Sequence, residues 1–433
     1  MQTSAPRDIH DVLHQTWGYS SFRPVQSKVI DHVMAGRDTL ALLPTGGGKS
    51  LCFQAPALAM GRLCLVVSPL IALMKDQVEA LRKRGVRARA LTSELSRPEI
   101  DIILDNAALG KLDFLYVAPE RLGSDLFTAR LHRLPLGLIA VDEAHCISQW
   151  GYDFRPAYQR IAEIRKVKPE VPVIALTASA TPTVAQDIME KLAFRAPNMI
   201  HGSFVRPELV LWVDRTEDRL GRLIRIAQRV KGTGIVYMRE RKATVRIAET
   251  LQREGISAKA YHAGLTYEQR DAVQASWMNG GTRVVVATIA FGMGIDKPDV
   301  RFVVHLEPPP DLESYYQEAG RAGRDGQRSF AILLTQPHDP ESLREKVLRS
   351  FPEIEEVRRV YQSFSDMNRI ALGSGLLEQY PVDLRGIATR TGLSPATVSY
   401  ALKALERDGA LALSEGARSP SRVFIQADHH AVT

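Results

Sequence analysis

The chain has 433 residues, with 56 lysines and arginines against 49 aspartates and glutamates. This length exceeds one ordinary domain and suits two or three. The basic excess favours a polyanionic partner without proving one. No apolar run approaches about 18 residues, which argues against a membrane-spanning protein.

The basic surplus belongs to the first three-quarters of the chain. From Pro337 onward there are 12 basic and 13 acidic residues. Cys52, Cys64 and Cys146 stand in apolar or motif contexts without paired spacing, which disfavours a disulfide framework and a cysteine-rich zinc site. The polar start lacks the apolar core of a signal peptide. We therefore expect a cytoplasmic protein, associated with the nucleoid if it is bacterial.

Short apolar runs alternate with helical patterns, as in buried parallel strands that carry chemistry at their carboxyl ends. The pattern restarts after about residue 204, and a mostly helical region begins near residue 337. We predict an α/β fold of two tandem parallel-sheet lobes, residues 1–203 and 204–336, followed by a helical connector and winged-helix domain, residues 337–433. The stretch from Arg195 to Pro207 is the predicted linker. The predicted strands are 38–43, 63–67, 114–117, 138–141, 173–176, 234–237, 284–287, 302–305 and 330–334.

The first strand is followed by a glycine-rich turn and a helical pattern, which is typical of a phosphate-binding loop. Glycines let the backbone N–H groups approach phosphate, the lysine reaches the β- and γ-phosphates, and the serine hydroxyl can hold Mg²⁺. The strict pattern begins with glycine, where this chain has Leu43, so the match is partial. The alternative is a glycine turn with an incidental Lys-Ser. The predicted nucleotide-binding residues are Pro44, Thr45, Gly46, Gly47, Gly48, Lys49 and Ser50.

An acidic pair follows the strand at 138–141. Asp142 suits Mg²⁺ and Glu143 suits orienting or deprotonating the attacking water. His145 completes the Asp-Glu-Ala-His motif and is counted with the catalytic residues. An acidic pair that only caps a helix is the alternative.

A third motif, Gln317 to Arg324, is rich in glycine and arginine. We predict that Arg321 and Arg324 share the face of a helix and that Arg324 reaches the γ-phosphate from the second lobe, with Arg321 as its neighbour. Gln317 is counted with the catalytic residues. A solvated basic helix face is the alternative.

These three motifs in this order resemble superfamily 2 helicases, most closely the RecQ family, over residues 18–330. The resemblance implies two RecA-like lobes that use ATP and Mg²⁺. It also implies that Tyr19 stacks on adenine, that Gln26 hydrogen-bonds the base edge and that Arg23 assists. From the residues alone, an aromatic and a glutamine ahead of a phosphate loop are equally consistent with packing and a helix cap.

Further motifs resemble the family's nucleic-acid contacts. The Ala144–Pro156 stretch resembles the aromatic-rich loop of RecQ proteins, with Tyr152 where the family usually has histidine. Trp150 and Phe154 can stack on unpaired bases, and Arg155 can contact phosphate; two aromatics in a hydrophobic plug are the alternative. The Thr177–Thr181 run resembles a coupling motif, and it could also be a loop. By resemblance, the track-binding residues are Ser68, Pro69, His262, Gly264 and Thr288.

The tail departs from the family. RecQ proteins commonly carry a four-cysteine zinc module after the second lobe, whereas no cysteine follows Cys146, so we predict no zinc. Residues 383–402 read as helix, glycine turn, helix, and 411–425 as a hairpin, which together predict a winged helix. It either grips duplex DNA or serves as a packing or protein-docking module. The DNA-contact candidates are Arg390, Lys403 and Arg422.

The sequence therefore predicts an ATP- and Mg²⁺-dependent DNA helicase acting in repair or recombination, with 3′→5′ polarity implied by resemblance only. The expected partners are single-stranded and forked or duplex DNA. A monomer is favoured, and no repair protein is specified as a partner. An RNA helicase or non-unwinding duplex translocase remains open, as does a nucleotide-gated DNA-binding regulator. Lys49, Glu143 and Arg324 together disfavour that regulator, because a sensor does not need the full hydrolytic set.

Overall fold

The computed structural model describes residues 7–92, 95–149, 154–289, 291, 297–371, 374–375, 378–414 and 422–425, apart from the side chains of 267, 346, 414 and 422–425. The chain divides into two compact units, one ending at Thr335 and the other beginning at Gln336. The first unit contains two parallel sheets and the second a small antiparallel one.

The first sheet has seven parallel strands in the order β3-β4-β2-β5-β6-β1-β7. Its strands are β1 Thr39–Leu42, β2 Leu63–Val67, β3 Ala88–Leu91, β4 Phe114–Val117, β5 Leu136–Val141, β6 Val173–Thr177 and β7 Met199–His201. Its helices are α1 Ile9–Trp17, α2 Pro24–Met34, α3 Leu51–Met60, α4 Ile71–Lys83, α5 Arg97–Ala108, α6 Asp125–Leu131, α7 Ile161–Val167 and α8 Pro182–Lys191.

The second sheet has six parallel strands in the order β10-β11-β9-β12-β13-β8. Its strands are β8 Leu209–Arg215, β9 Thr233–Tyr237, β10 Ala258–Tyr261, β11 Val284–Ala287, β12 Val300–His305 and β13 Ser329–Thr335. Its helices are α9 Arg219–Arg229, α10 Arg241–Arg253, α11 Tyr267–Met278 and α12 Leu312–Ala319.

The central strands are mostly apolar because each has a hydrophobic core on both sides. In β2, Leu65 and Val67 join one core cluster, while Cys64 and Val66 join the cluster on the other face. Such doubly covered strands are typical of parallel sheets. Their carboxyl ends meet at one edge of the sheet, where the loops with functional motifs begin.

A buried ionic cluster closes the opposite edge of the first sheet. Asp38 Oδ2 accepts hydrogen bonds from Arg165 Nη2 at 3.0 Å and Arg195 Nε at 2.9 Å. Asp38 Oδ1 accepts from the N–H of Val173 at 2.9 Å. Burial opposes ionisation of Asp38, but the bonds from Arg195 and Val173 and the charge of Arg165 hold its pKa below the ordinary value. This cluster ties the start of β1 to α7 and to the chain that leaves the lobe.

The second unit is a helix-turn-helix with a three-stranded sheet in the order β14-β16-β15. Ser394 caps α16, accepting a hydrogen bond from the N–H of Thr397, and Pro395 occupies the first helical position. The core of this unit includes Phe364 and Leu402. Its elements are α13 Asp339–Ser350, α14 Ile354–Met367, β14 Gln379–Pro381, α15 Leu384–Thr391, α16 Pro395–Arg407, β15 Leu411–Ser414 and β16 Arg422–Ile425.

The predicted fold class is confirmed: two RecA-like parallel-sheet lobes precede a mostly helical winged-helix region. Four strands of the parallel sheets were not predicted. β3 and β10 are sheet-edge strands in which only the first and last residues are buried, and Arg89 and Lys259 interrupt their apolar runs. β7 forms inside the stretch predicted as a linker and pairs with β1, and β8 is largely exposed at the edge of the second sheet. Within the described residues, no helix is both long and apolar enough to cross a membrane.

Candidate nucleotide and nucleic-acid site

The loop between β1 and α3 requires glycine at three successive positions. Gly46 and Gly48 have positive φ values of 77° and 74°, a region that side chains other than glycine rarely adopt. A methyl group on Gly47 would lie 2.8 Å from the carbonyl oxygen of Pro44. The loop is therefore a tight backbone cradle, and it leads through Lys49 and Ser50 into α3.

Two side chains from the start of α2 hold the carbonyl side of this loop. Gln26 Nε2 donates to the carbonyls of Gly47 and Gly48, each at 3.2 Å, and Arg23 Nη1 donates to the carbonyl of Gly46 at 2.9 Å. A trans peptide directs its N–H opposite to its C=O. The N–H groups of Gly48 and Lys49 therefore point away from Gln26, as a bound phosphate requires.

The hydrogen bonds of Gln26 also concern the predicted adenine contacts of Tyr19, Arg23 and Gln26. Gln26 Oε1 accepts a hydrogen bond from the backbone N–H of Arg23 at 2.9 Å, within a capping box at the start of α2. The helix cap, which was one alternative from the sequence, is therefore present. Both Oε1 and Nε2 of Gln26 already have hydrogen-bond partners within the protein. Tyr19 is 57% exposed just ahead of this helix. The adenine contacts of Tyr19, Arg23 and Gln26 stay a prediction.

Asp142 and Glu143 directly follow β5, two strands from β1 in the sheet. Burial and the charge of Glu143 raise the pKa of Asp142 to about 7, although the Lys49 ammonium opposes this rise. A carboxylate buried beside like charge needs a cation to ionise fully. The Asp142 carboxylate and the Ser50 hydroxyl are oxygen donors of the kind that Mg²⁺ prefers. The chemistry of these residues therefore fits a phosphate-bound Mg²⁺ ion.

Glu143 leads a chain of polar contacts that runs into the neighbouring strand. It has a left-handed backbone with φ of 47°, which costs about 1–3 kcal/mol in a residue other than glycine and is common at functional sites. His145 Nδ1 lies 3.4 Å from Glu143 Oε2 and 2.9 Å from Thr177 Oγ1. The N–H of Ser179 in turn donates to Thr177 Oγ1 at 3.3 Å. The acidic motif and the Thr177–Thr181 run therefore form one network.

A second network, which the sequence analysis did not find, starts from Ser50. Gln77 Nε2 donates to Ser50 Oγ at 3.3 Å, and Gln77 Oε1 accepts from the Tyr116 hydroxyl at 2.9 Å. That hydroxyl also accepts from Gln54 Nε2 at 3.1 Å. The tyrosine within the apolar β4 run was the available signal, because a buried hydroxyl needs partners. The network joins the nucleotide loop to α4, which follows Ser68 and Pro69.

Residues 320–325, here called the arginine turn, lie against the phosphate loop. A methyl group on Gly46 would be 3.3 Å from Arg324 Cγ, and one on Gly320 would be 3.2 Å from Thr45 Cβ. Gln317 Nε2 also donates to Ser179 Oγ at 3.5 Å. The structure therefore brings Gln317 and Arg324 to the first lobe.

The predicted helix through Arg321 and Arg324 is wrong. Helix α12 ends at Ala319, and both arginines lie in turns. Gly323 has a positive φ of 68° within this segment, and a glycine there favours a turn over a continued helix. The turn buries Arg321 and directs Arg324 toward the loop.

Arg206, which the sequence analysis did not single out, holds the arginine turn from the end of the predicted linker. Its guanidinium donates to the carbonyls of Gly320, Ala322 and Gly323 at 3.0, 2.9 and 2.7 Å. Glu208 pairs with the same side chain at 2.6 Å. Five donors in a rigid fork suit a set of converging carbonyls. The motif spacing carries no signal for this contact.

The described end of the aromatic loop lies beside the first-lobe track motif. Arg155 Nη1 donates to the Pro69 carbonyl at 3.2 Å, and Tyr158 donates its hydroxyl to the Asp142 carbonyl at 2.9 Å. The Lys191 ammonium lies 5.8 Å from the centre of the Phe154 ring. Ser68 is buried at the end of β2. Trp150 and residues 151–153, including Tyr152, lie outside the described residues.

The second-lobe track residues follow β10 and β11 at the matching edge of their sheet. Gly264 donates its N–H to His262 Nδ1 at 3.2 Å. Thr288 is buried and donates its N–H to the Tyr261 carbonyl at 3.2 Å. Thr288 belongs to residues 287–298, here called the track motif of the second lobe. Residues 290 and 292–296 of this motif lie outside the described residues.

In the second unit, Lys403 is exposed on α16, and Arg390 Nη2 lies 3.6 Å from Asp366 Oδ2. The backbone of Arg422 lies in β16, while its side chain and residues 415–421 of the wing lie outside the described residues. The DNA contacts of this unit stay a prediction. Within the described part of the chain, no group of three or more His, Cys, Asp or Glu side chains could hold a metal. The prediction of no zinc stays a prediction.

Three family models match the chain in the order of its sheets and helices. The DEAD/DEAH box helicase model matches residues 23–188, the helicase conserved C-terminal domain residues 216–326, and the winged helix-turn-helix DNA-binding model residues 383–411.

The chain is also similar to curated helicases. It is 45% identical to the ATP-dependent DNA helicase RecQ of Pasteurella multocida, over 79% of this chain and 54% of that protein. It is 39% identical to the probable ATP-dependent DNA helicase RecS of Bacillus subtilis, over 86% of this chain and 76% of that protein. The chain thus spans about half the length of some relatives and three-quarters of another.

Among solved structures, the helicase MrfA bound to DNA superposes with a TM-score of 0.65 at 16% identity, over 100% of this chain and 64% of that chain. At this identity, the likeness shows the fold alone.

Proposed function

The chain belongs to the RecQ family of ATP-dependent DNA helicases, and from this premise we propose that it couples ATP hydrolysis to movement along single-stranded DNA and to duplex unwinding. The contact of Arg324 with the phosphate loop carries the proposal. It supports a nucleotide site completed by both lobes, as a motor that opens and closes during each cycle requires.

Each part of the nucleotide site has a separate role in this proposal. Lys49 and the N–H groups of Gly48 and Lys49 bind the phosphates. Ser50 and Asp142 would hold an accompanying Mg²⁺, which would neutralise phosphate charge. Glu143 accepts a proton from the attacking water. Arg324 stabilises the charge on the γ-phosphate, a contribution of about 10³–10⁵ in rate where arginine fingers are used.

We propose that bound nucleic acid influences the nucleotide site through two side chains that hydrogen-bond protein backbone carbonyls. Arg155 joins the aromatic loop to Pro69, and Tyr158 joins the following segment to the Asp142 carbonyl. A strand that stacks on Trp150 and Phe154 would therefore move residues bonded directly to the acidic motif. This arrangement supports ATP turnover stimulated by single-stranded DNA.

The first experiment is a steady-state ATPase assay with no nucleic acid, single-stranded DNA, duplex DNA or RNA. We expect strong stimulation by single-stranded DNA, loss of turnover in Lys49→Ala and reduced stimulation in Trp150→Ala. Trp212→Ala, an exposed tryptophan on the edge strand β8, is the matched control and should behave as wild type.

The finger is tested by Arg324→Ala beside Arg328→Ala, an exposed arginine four residues later. Only the first should lower kcat, by about 10³-fold or more, with ATP binding retained.

In the nucleic-acid ATPase assay, equal stimulation by RNA would favour the RNA-helicase alternative. Tight duplex binding without DNA-dependent turnover would refute the motor and favour the regulator.

A further inference from the structure

Three buried polar side chains meet inside the second lobe, between its track motif and the arginine turn. Tyr237 and His305 are the last residues of β9 and β12 and are partners in the register of those strands. Tyr237 is also the partner of Ala287, the last residue of β11, after which the track motif continues with Thr288. Glu318 approaches from α12. We call Tyr237, His305 and Glu318 the Tyr-His-Glu cluster.

The contacts within this cluster are direct. The rings of Tyr237 and His305 stack with centroids 5.4 Å apart and planes 21° apart. His305 Nε2 lies 2.9 Å from Glu318 Oε2, and because an ionised carboxylate only accepts, the imidazole donates. The three side chains are 4%, 1% and 9% exposed. Polar groups buried this deeply are held firmly, since an unpaired one is costly.

The cluster has one contact toward each motif. The Tyr237 hydroxyl donates to the Phe291 carbonyl at 2.8 Å, within the track motif. On the other side, burial raises the pKa of Tyr237 to about 12, and the nearby charge of the buried Arg321 guanidinium opposes this rise. Glu318 precedes Arg321 by three residues, and Arg321 precedes Arg324 by three. The Tyr237 phenol therefore contacts the track motif and feels the charge of Arg321 in the arginine turn.

We propose that Tyr237, supported by His305 and Glu318, is a positioning residue that couples the second-lobe track motif to the arginine turn. This inference rests on the proposed function. Nucleic acid that shifts the Phe291 carbonyl must either carry the Tyr237 hydroxyl along or leave a buried group unpaired. A shift of the phenol changes its interaction with the charged Arg321, and the turn passes this change to Arg324. The packed sheet end favours discrete arrangements over gradual deformation.

The alternative is a purely structural role, in which the Tyr-His-Glu cluster only packs and stabilises the second lobe. Both readings predict some loss of stability when a member is changed. They differ in the ATPase assay, because a stabilising core residue should not selectively affect the DNA-dependent part of turnover.

The test is Tyr237→Phe, which removes the hydroxyl and keeps the ring that stacks on His305. We expect the DNA-stimulated kcat to fall about tenfold, which corresponds to about 1.4 kcal/mol of coupling. The DNA-independent rate, the KM for ATP and the Kd for single-stranded DNA should change less than twofold. Tyr315→Phe is the matched control. Its ring centroid is 5.1 Å from that of His305, and its hydroxyl has no hydrogen-bond partner among the described residues, so this variant should match wild type.

A second pair of variants separates positioning from folding. Glu318→Gln keeps an acceptor for His305 Nε2 and should retain most DNA stimulation, whereas Glu318→Ala should lose it. Circular dichroism and the Tm check that each variant is folded.

Full stimulation in Tyr237→Phe, or equal loss of the basal and stimulated rates, would overturn the coupling role. Absence of DNA stimulation in the wild type would instead refute the proposed function. The failure of the two ideas is therefore distinguishable.

Discussion

Asp142→Asn should stabilise the protein in the absence of nucleotide, although it should abolish ATP turnover. In the wild type, burial and the neighbouring Glu143 raise the pKa of Asp142 to about 7 despite Lys49. The folded protein therefore binds a proton on this carboxyl more tightly than the unfolded chain does. Asparagine has nearly the same shape and carries no charge to bury.

The sign and size of the effect follow from the pKa difference. Stability associated with protonated Asp142 is fully present below the ordinary pKa of 3.8 and is lost as pH rises toward about 7. At about 1.4 kcal/mol per pH unit, the full difference is about 4 kcal/mol. At pH 5 the wild type has already lost part of this stability. The difference in the free energy of unfolding between Asp142→Asn and wild type should therefore grow by about 2–3 kcal/mol between pH 5 and pH 8.5.

The assay is thermal and urea unfolding of wild type and Asp142→Asn at pH 5 and 8.5, without nucleotide and with EDTA. At about 2 °C per kcal/mol, the difference in Tm should widen by about 5 °C at the higher pH. Asp31→Asn, a change of an exposed carboxylate on α2, provides the baseline. A stability difference that is the same at both pH values, or one that narrows at pH 8.5, would refute the reasoning.

Two further predictions concern the loop and the ionic cluster. Gly48→Ala places a methyl against Gln26 Nε2 at a φ of 74°. ATP affinity should therefore fall well beyond the effect of Gly36→Ala, whose positive φ has open space around it. Equal ATP affinity in both variants by calorimetry would contradict the role of Gln26 in holding the phosphate loop. Arg165→Ala leaves the buried Asp38 carboxylate without one of its two guanidinium partners and should cost about 3–5 kcal/mol in urea unfolding, whereas a loss below 1 kcal/mol would show that the cluster is dispensable.

The sequence predicted the central strands and the strand-end motifs well, because doubly buried strands are apolar without interruption. Val284–Ala287 is such a run and is strand β11 as predicted. The edge strand Ala258–Tyr261 is buried only at its two end residues and includes the exposed Lys259, so it lacks that signal. Periodicity reports burial on both faces more reliably than it reports a sheet edge.

The parts of the candidate site that sequence missed depend on contacts between distant segments. Gln77 and Ser50 are 27 residues apart, and Arg206 and Gly320 are 114 apart. Their side chains have ordinary spacing and no local pattern, so only the fold brings them together. The arginine turn was predicted as a helix because arginines three residues apart suit a helix face, whereas the positive φ of Gly323 ends that geometry.

Arg206 links the connection between the lobes to the position of Arg324. Since its guanidinium holds three carbonyls of the arginine turn, the chain that leaves the first lobe is clamped to the segment that carries Arg324. A rotation of the second lobe about this connection would move Arg324 only a short distance, because Arg206 holds the turn that carries Arg324 close to the connection. Lobe opening would thus withdraw Arg324 without any change in the sheet that supports it.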